Sequence, residues 1–139
     1  MILLDTNVVS EFMRILPAPE VQSWIRSLPP SGLFISAVTE AELRLGLELL
    51  TPGKRRDGLA AALESMLALD FAGRVLPFDQ TAAIAFAKIV ADRRKSGRPI
   101  TQFNAQIASI ARCRGAALAT RHIEDFADCG IRVINPWQD

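Results

Sequence analysis

The chain has 139 residues, 50% hydrophobic and 22% charged, with a formal net charge of +1. That length makes one domain, residues 1–139, with room for a sizeable core, and the composition excludes a disordered chain. No apolar run approaches the roughly 18 residues of a membrane span, and the first residues lack the basic start and small-residue cleavage site of a signal peptide. The two cysteines, Cys113 and Cys129, have no metal-like spacing. They are expected to be reduced thiols in a cytoplasmic protein. His122 is the only histidine, which argues against structural zinc. The net charge does not announce nucleic acid. Two local clusters, Lys54-Arg55-Arg56 and Arg93-Arg94-Lys95 with Arg98, are read first as solvated helix ends.

Met1-Ile2-Leu3-Leu4 is too short for a helix and reads as a buried strand that stops at Asp5, with Thr6-Asn7 as a capping pair. Val8 to about Arg14 is predicted as a short helix with Pro17 beyond it. Pro19-Glu20 opens a second helix, which carries Val21, Trp24, Ile25 and Leu28 on one face and ends at Pro29-Pro30. Leu33-Phe34-Ile35 is a second strand, with Ser36 at its end as a cap.

Val38 to about Leu50 is a helix with a wide apolar face through Ala41, Leu43, Leu45, Leu47 and Leu50. Glu42 and Gly46 share one side of it, and the glycine suggests that something packs close there. After the Thr51-Pro52-Gly53 turn, Arg56 to Leu69 is amphipathic, with Leu59, Leu63, Met66 and Leu67 inward. Leu45, Leu49, Leu59 and Leu63 could serve the core or a partner groove. Val75-Leu76 is a third strand. Asp79 caps a helix from Thr81 to about Lys95, with Ala83, Phe86, Ala87 and Val90 as its buried stripe and Gly97 past its end. Gln102 to Arg114 is helical, with Phe103, Ile107 and Ile110 inward. Ala116–Ala119 and Ile131–Ile134 are the last strands, separated by a loop and a short helical turn from Thr120 to Phe126. Alternating strands and helices imply right-handed crossovers and a mainly parallel sheet covered on both faces.

In an open α/β sheet, ligands bind at the carboxyl ends of the strands. Four places reach that edge: Asp5, Glu42, Asn104 and the segment Thr120-Arg121-His122-Ile123-Glu124-Asp125. Each alone has a bland reading: Asp5, Asn104 and Asp125 as caps, Glu42 as a solvated helix residue, His122 as a surface histidine. Carboxylates grouped at one rim repel each other unless a cation lies among them. Oxygen donors of this kind suit Mg²⁺ or Mn²⁺, which activate water and stabilise displacement at phosphorus.

Several segments carry a family resemblance: Met1-Ile2-Leu3-Leu4-Asp5-Thr6-Asn7-Val8, Ile35-Ser36-Ala37-Val38-Thr39-Glu40-Ala41-Glu42-Leu43, Leu118-Ala119-Thr120-Arg121 and the closing Asn135-Pro136-Trp137. In order along the whole chain, they resemble PIN-domain proteins, in particular the VapC-type toxins of bacterial toxin–antitoxin systems and their FitB-like branch. The resemblance implies a PIN-like three-layer α/β/α sandwich with a mainly parallel central sheet. It implies a Mg²⁺- or Mn²⁺-dependent endoribonuclease acting on tRNA or rRNA. It also implies a VapB-type antitoxin as partner and a homodimer. The chain carries no DNA-reading helix-turn-helix, so DNA would be reached only through the antitoxin.

Carried over by position, Asp5 and Glu42 correspond to the family's first two metal-binding acids. Asn104 stands where the third acid normally is. His122 stands at the fourth position, and Asp125, three residues on, is the carboxylate that could substitute. Arg98 and Arg121 are the expected contacts to the RNA backbone. An asparagine at 104 keeps one acceptor oxygen but loses the charge. Three readings follow: a change introduced so that a toxic nuclease can be produced, a natural attenuation, or a weaker site for which Asp5, Glu42 and Asp125 suffice. The intact surroundings of Asn104 favour the first. The rival from another class is a catalytically inactive PIN-fold module that acts by binding its antitoxin in a repressor complex. A small flavodoxin-like signalling domain also keeps acids at strand ends, but the Ala41-Glu42-Leu43 segment and the closing Asn135-Pro136-Trp137 do not belong to that pattern.

Overall fold

The computed structural model describes residues 1–138. Among them are the strands β1 (Ile2–Leu4), β2 (Leu33–Ser36), β3 (Val75–Leu76), β4 (Ala117–Ala119) and β5 (Val133–Ile134). The main helices are α1 (Thr6–Phe12), α2 (Pro19–Arg26), α3 (Ala37–Glu48), α4 (Lys54–Ser65), α5 (Gln80–Lys95) and α6 (Gln102–Arg114). The strands form one sheet in the order β3-β2-β1-β4-β5, and every pairing is parallel. β1 lies at its centre, where Leu3 pairs with Phe34 on one side and Leu118 on the other. Parallel pairing forces a crossover between neighbours, so helices cover both faces and the strands are buried on both sides.

The two faces hold separate cores. One gathers Leu3, Ile89, Ile107, Ile110, Leu118 and Phe126 under α5 and α6. The other gathers Leu4, Val8, Val9, Ile35, Leu63 and Phe71 under α1, α3 and α4. Consecutive residues Leu3 and Leu4 thus serve opposite faces, as the two-residue period of a strand requires. This is the three-layer arrangement expected from the alternation of strands and helices.

Local departures have identifiable causes. Asp5, not the Thr6-Asn7 pair, caps α1, because its Oδ1 accepts from the Thr6 backbone N–H at 2.8 Å. α3 starts at Ala37 and ends at Glu48, and α4 starts two residues earlier than expected before widening into a looser turn over Met66–Asp70. The last strand is trimmed to Val133–Ile134.

The buried stripe of α5 is Ala82, Ala85, Ile89 and Arg93, while Ala83 and Ala87 are exposed. The expected phase was wrong because alanines on every side of this helix leave its pattern weakly defined, and a charged residue sits on its inner face. Arg93 is therefore no part of a solvated helix end. Phe103 is half-exposed rather than inward. Nothing lies within 4 Å of where a Cβ on Gly46 would stand, so no close packing explains that glycine. Leu45 and Leu49 lie outside the core, whereas Leu63 is fully buried.

The cap at the end of β2 has a direct consequence for α3. Ser36 is fully buried, and its hydroxyl accepts from the Thr39 backbone N–H at 3.0 Å. Ser36→Ala leaves that N–H without a partner in the interior, and the protein is expected to lose about 1–2 kcal/mol of stability. Urea unfolding measures it, and a midpoint equal to wild type would mean that the cap contributes nothing.

Candidate metal centre

The chain runs out of β1 directly into Asp5, whose backbone N–H still donates to the Ala119 carbonyl at 2.9 Å. Its carboxylate is buried and held by three neutral donors. Oδ1 accepts from the Thr6 N–H. Oδ2 accepts from the Thr120 hydroxyl at 2.7 Å and from the Asn7 amide at 2.9 Å. Burial raises the Asp5 pKa above its ordinary value of 3.8, opposed by the bonds from Thr120, Thr6 and Asn7 and by the charge of His122. No cationic side chain pairs with Asp5 among the described residues.

Thr120 stands at the end of β4, beside Asp5, and is fully buried. Besides donating to Asp5, its oxygen accepts from the His122 N–H at 3.1 Å and lies 3.3 Å from the Asn7 amide nitrogen. Asn7 in turn accepts from the Arg121 N–H at 3.0 Å. These bonds join the end of β1, the start of α1 and the segment after β4.

Glu42 comes from the second turn of α3, the helix that follows β2. The Thr6 hydroxyl donates to its Oε1 at 2.7 Å. The Thr39 hydroxyl lies 3.1 Å from that of Thr6. With the single Thr6 proton given to Glu42, Thr39 is left to donate to Thr6. Thr6 therefore links the two acids, with its backbone on Asp5 and its side chain on Glu42.

Asn104 lies in the first turn of α6, where its backbone N–H bonds the Thr101 hydroxyl at 3.3 Å. Asp125 lies in a short 3₁₀ turn, Ile123–Phe126, anchored by fully buried Phe126. Asp5, Glu42, Asn104, His122 and Asp125 all line one cleft of about 290 Å³, together with Thr6, Asn7, Ser10 and Phe126.

Sharing a cleft is a weaker condition than sharing an ion. Among the described residues, no three His, Cys, Asp or Glu side chains lie close enough together to hold a metal ion. An acid at 104 would add a further carboxylate to the cleft. With Asn104 there, the cleft is lined by the carboxylates of Asp5, Glu42 and Asp125 and by the Asn104 amide. All are oxygen ligands suited to Mg²⁺ or Mn²⁺.

The two arginines expected at the rim do not line this cleft. Arg98 is paired with Asp128. The Arg121 guanidinium lies over the Trp137 ring, 4.9 Å from its centroid. The supporting roles of Thr6, Thr39, Thr120 and Asn7 were not legible one by one. The usable signal was hydroxyl and amide residues adjoining acids at strand ends.

A family model for the PIN domain matches residues 2–128. The chain is 41% identical over 139 residues to the toxin FitB of Neisseria gonorrhoeae, covering 100% of both chains. It is 41% identical over 138 residues to VapC ribonuclease Y4jK of Sinorhizobium fredii, covering 99% of each. Among solved structures, it superposes on FitAcB from Neisseria gonorrhoeae with a TM-score of 0.93, at 40% identity and 100% of both chains. It superposes on FitAB bound to an IR36 DNA fragment with a TM-score of 0.92, at 39% identity, over 99% of this chain and 96% of that one. A sheet centred on β1, an acid at the end of that strand and whole-length similarity of this degree lead to one assignment: the chain belongs to the PIN-domain family, in the branch of the FitB and VapC toxins.

Proposed function

We propose that this protein is a Mg²⁺- or Mn²⁺-dependent endoribonuclease, the toxin of a type II toxin–antitoxin pair. It acts in the cytoplasm as a homodimer on RNA of the tRNA or rRNA class. A VapB-type antitoxin holds it in check, and it reaches DNA only through that antitoxin. The observation that carries this reading is the single cleft lined by Asp5, Glu42, Asn104 and Asp125 in a chain of the PIN family. The ribonuclease name of one relative supports the reaction class, and a related pair bound to DNA supports the partner.

In this reading Asp5 and Glu42 hold the ion, with Asn104 and Asp125 completing its surroundings. When bound, the ion supplies a water of lowered pKa and positive charge at the scissile phosphate. The residues themselves do the preparatory work. Thr120 and Asn7 fix the Asp5 carboxylate, and Thr6 fixes Glu42, so neither side chain must be ordered when the ion arrives. Arg121, once released from the Trp137 ring, and Arg98, once freed from Asp128, would meet the RNA backbone.

The antitoxin's seat in this reading is a larger apolar groove of about 910 Å³ between α1, α3 and α4, lined in part by Met13, Leu16, Leu43, Leu47 and Leu59. Ile15 beside it is 99% exposed and Leu16 84%, an apolar surface that a partner would cover. Phe78, Ile84 and Phe103 form further exposed apolar surface that a second copy of the chain could cover.

Asn104 favours a second reading, a PIN-fold module with weak or no catalysis that works by binding its antitoxin in a repressor complex. The absence of a three-acid cluster among the described residues supports it. Expression without the antitoxin separates the two: growth arrest supports the nuclease, and normal growth supports the binding role.

Asp5→Ala should reduce metal-dependent RNA cleavage by more than the roughly 10–100-fold that loss of a supporting partner costs. Equal cleavage by both proteins would remove Asp5 from the mechanism.

Asn104→Asp adds a negative charge to the cleft and should tighten Mn²⁺ binding by about tenfold or more, since even a screened charge at coordination distance is worth more than ~1.4 kcal/mol. Calorimetric titration of both forms decides it, and indistinguishable binding means that position 104 is no ligand.

Burial of Asp5 makes a further expectation in metal-free buffer. Its carboxyl holds a proton more tightly folded than unfolded, so between 3.8 and the raised value the folded state binds more protons. Wild type should therefore lose stability relative to Asp5→Asn as pH rises through that window, with its full advantage below it. Thermal melts across the acid range in EDTA test this, and the opposite trend would show that the three donors outweigh burial.

A further inference from the structure

The chain buries one guanidinium that the proposed reaction does not use. Arg93, on the last turn of α5, is 6% exposed. No carboxylate pairs with it among the described residues. A buried charge without a counter-ion is costly unless dipoles satisfy it. Carbonyl groups do so here. Nε donates to the Arg98 carbonyl at 2.6 Å, and Nη1 lies 3.0 Å from the carbonyls of both Asp125 and Ala127. Nη1 also lies 3.6 Å from the Cys129 sulfur.

The turn it grips is the one that carries Asp125. Buried Phe126 seats that turn in the core, but its own backbone bonds are internal: the Asp125 N–H donates to the His122 carbonyl and the Ala127 N–H to the Glu124 carbonyl. Asp5 and Glu42 are fixed through their own carboxylates, by Thr120, Asn7 and Thr6. The Asp125 carboxylate has no hydrogen-bond partner among the described residues, although it lines the same cleft. Its aim is set by its backbone alone.

We propose that Arg93 is a positioning residue that clamps the Ile123–Phe126 turn from behind and so holds the Asp125 carboxylate toward the metal cleft. This rests on the reading of Asp125 as a metal-directed group. The planar guanidinium is suited to the task because it offers donors in a fixed fork to carbonyls from two loops at once. A lysine keeps the charge but has one nitrogen, and cannot bridge the Arg98 carbonyl and the turn in the same way. Arg93 touches no reacting atom and acts only through the turn.

The test is Mn²⁺ calorimetry, without RNA, on wild type, Arg93→Lys, Asp125→Ala and the double variant. It is paired with amide hydrogen exchange at Asp125 and Ala127. Arg93→Lys should weaken Mn²⁺ binding by about tenfold, the lower end of what loss of a supporting partner costs. It should also speed exchange at both amides. The double variant should bind no more weakly than Asp125→Ala. Arg93→Gln, which is neutral and shorter, gives the same comparison should the lysine variant fail to fold.

Weakened binding by Asp125→Ala alone, with Arg93→Lys unchanged, overturns the clamp and leaves the reading of Asp125 intact. Wild-type binding by Asp125→Ala overturns that reading and the clamp with it. A double variant clearly weaker than Asp125→Ala overturns the clamp by showing that Arg93 acts on the cleft through another route.

Discussion

A carboxylate buried at the end of a central strand is the constraint that the rest of the structure answers. Asp5 leaves β1 into a site walled by both cores, where ionisation is penalised by the loss of water. The chain does not relieve that with an arginine or lysine. It surrounds the acid with a backbone N–H, a hydroxyl and an amide, all neutral. Neutral donors fix the geometry of a carboxylate but leave its charge largely uncompensated. A pocket closed by a guanidinium would be satisfied already; this one leaves room for the cation proposed above.

The sheet order explains why acids so distant in sequence meet. From β1 the chain crosses to β2 and then β3 on one side, and returns to β4 and β5 on the other. The direction of winding reverses at β1, and in parallel α/β sheets the crevice at such a reversal is the natural binding site. Asp5 sits at that point. Glu42 reaches it from the helix after β2, Asn104 from the helix leading into β4, and Asp125 from the turn after β4. Thr120 closes the crevice by joining the ends of β1 and β4 through one hydroxyl. No local feature of any one segment creates the cleft; the crossovers do.

This also explains which parts were legible in the sequence. Short apolar strands ending in polar residues, and caps such as Ser36 and Asp79, are written in neighbouring residues, and they were found. Asp5 and the segment from Thr120 were placed at the cleft as residues that follow strands, and Glu42 and Asn104 as residues in the first turns of helices near that edge. Burial of Arg93 was not legible, because the groups that satisfy it are carbonyls, which every residue carries. The same blindness misplaced the inner face of α5. Phe86 and Val90 drew the stripe toward themselves, yet both are only partly buried and the inner row ends in a charge. Apolar periodicity finds a helix face only when the core beneath it is wholly apolar.

The unequal tethering of the cleft bears on what the site can do. Asp5 and Glu42 sit on elements packed into the sheet and are wired together through Thr6, so they form a rigid half. Asp125 sits on a short turn outside the sheet, and Asn104 contributes an oxygen without charge. In the proposed reading, a site with one tethered, anionic half and one half of weaker field would hold a divalent cation less tightly than a complete acidic ring would. Such a site responds strongly to any change in its weaker half. Whether the protein cleaves or only binds is therefore decided less by Asp5, which the fold determines, than by the charge at position 104 and the stiffness of the turn that carries Asp125.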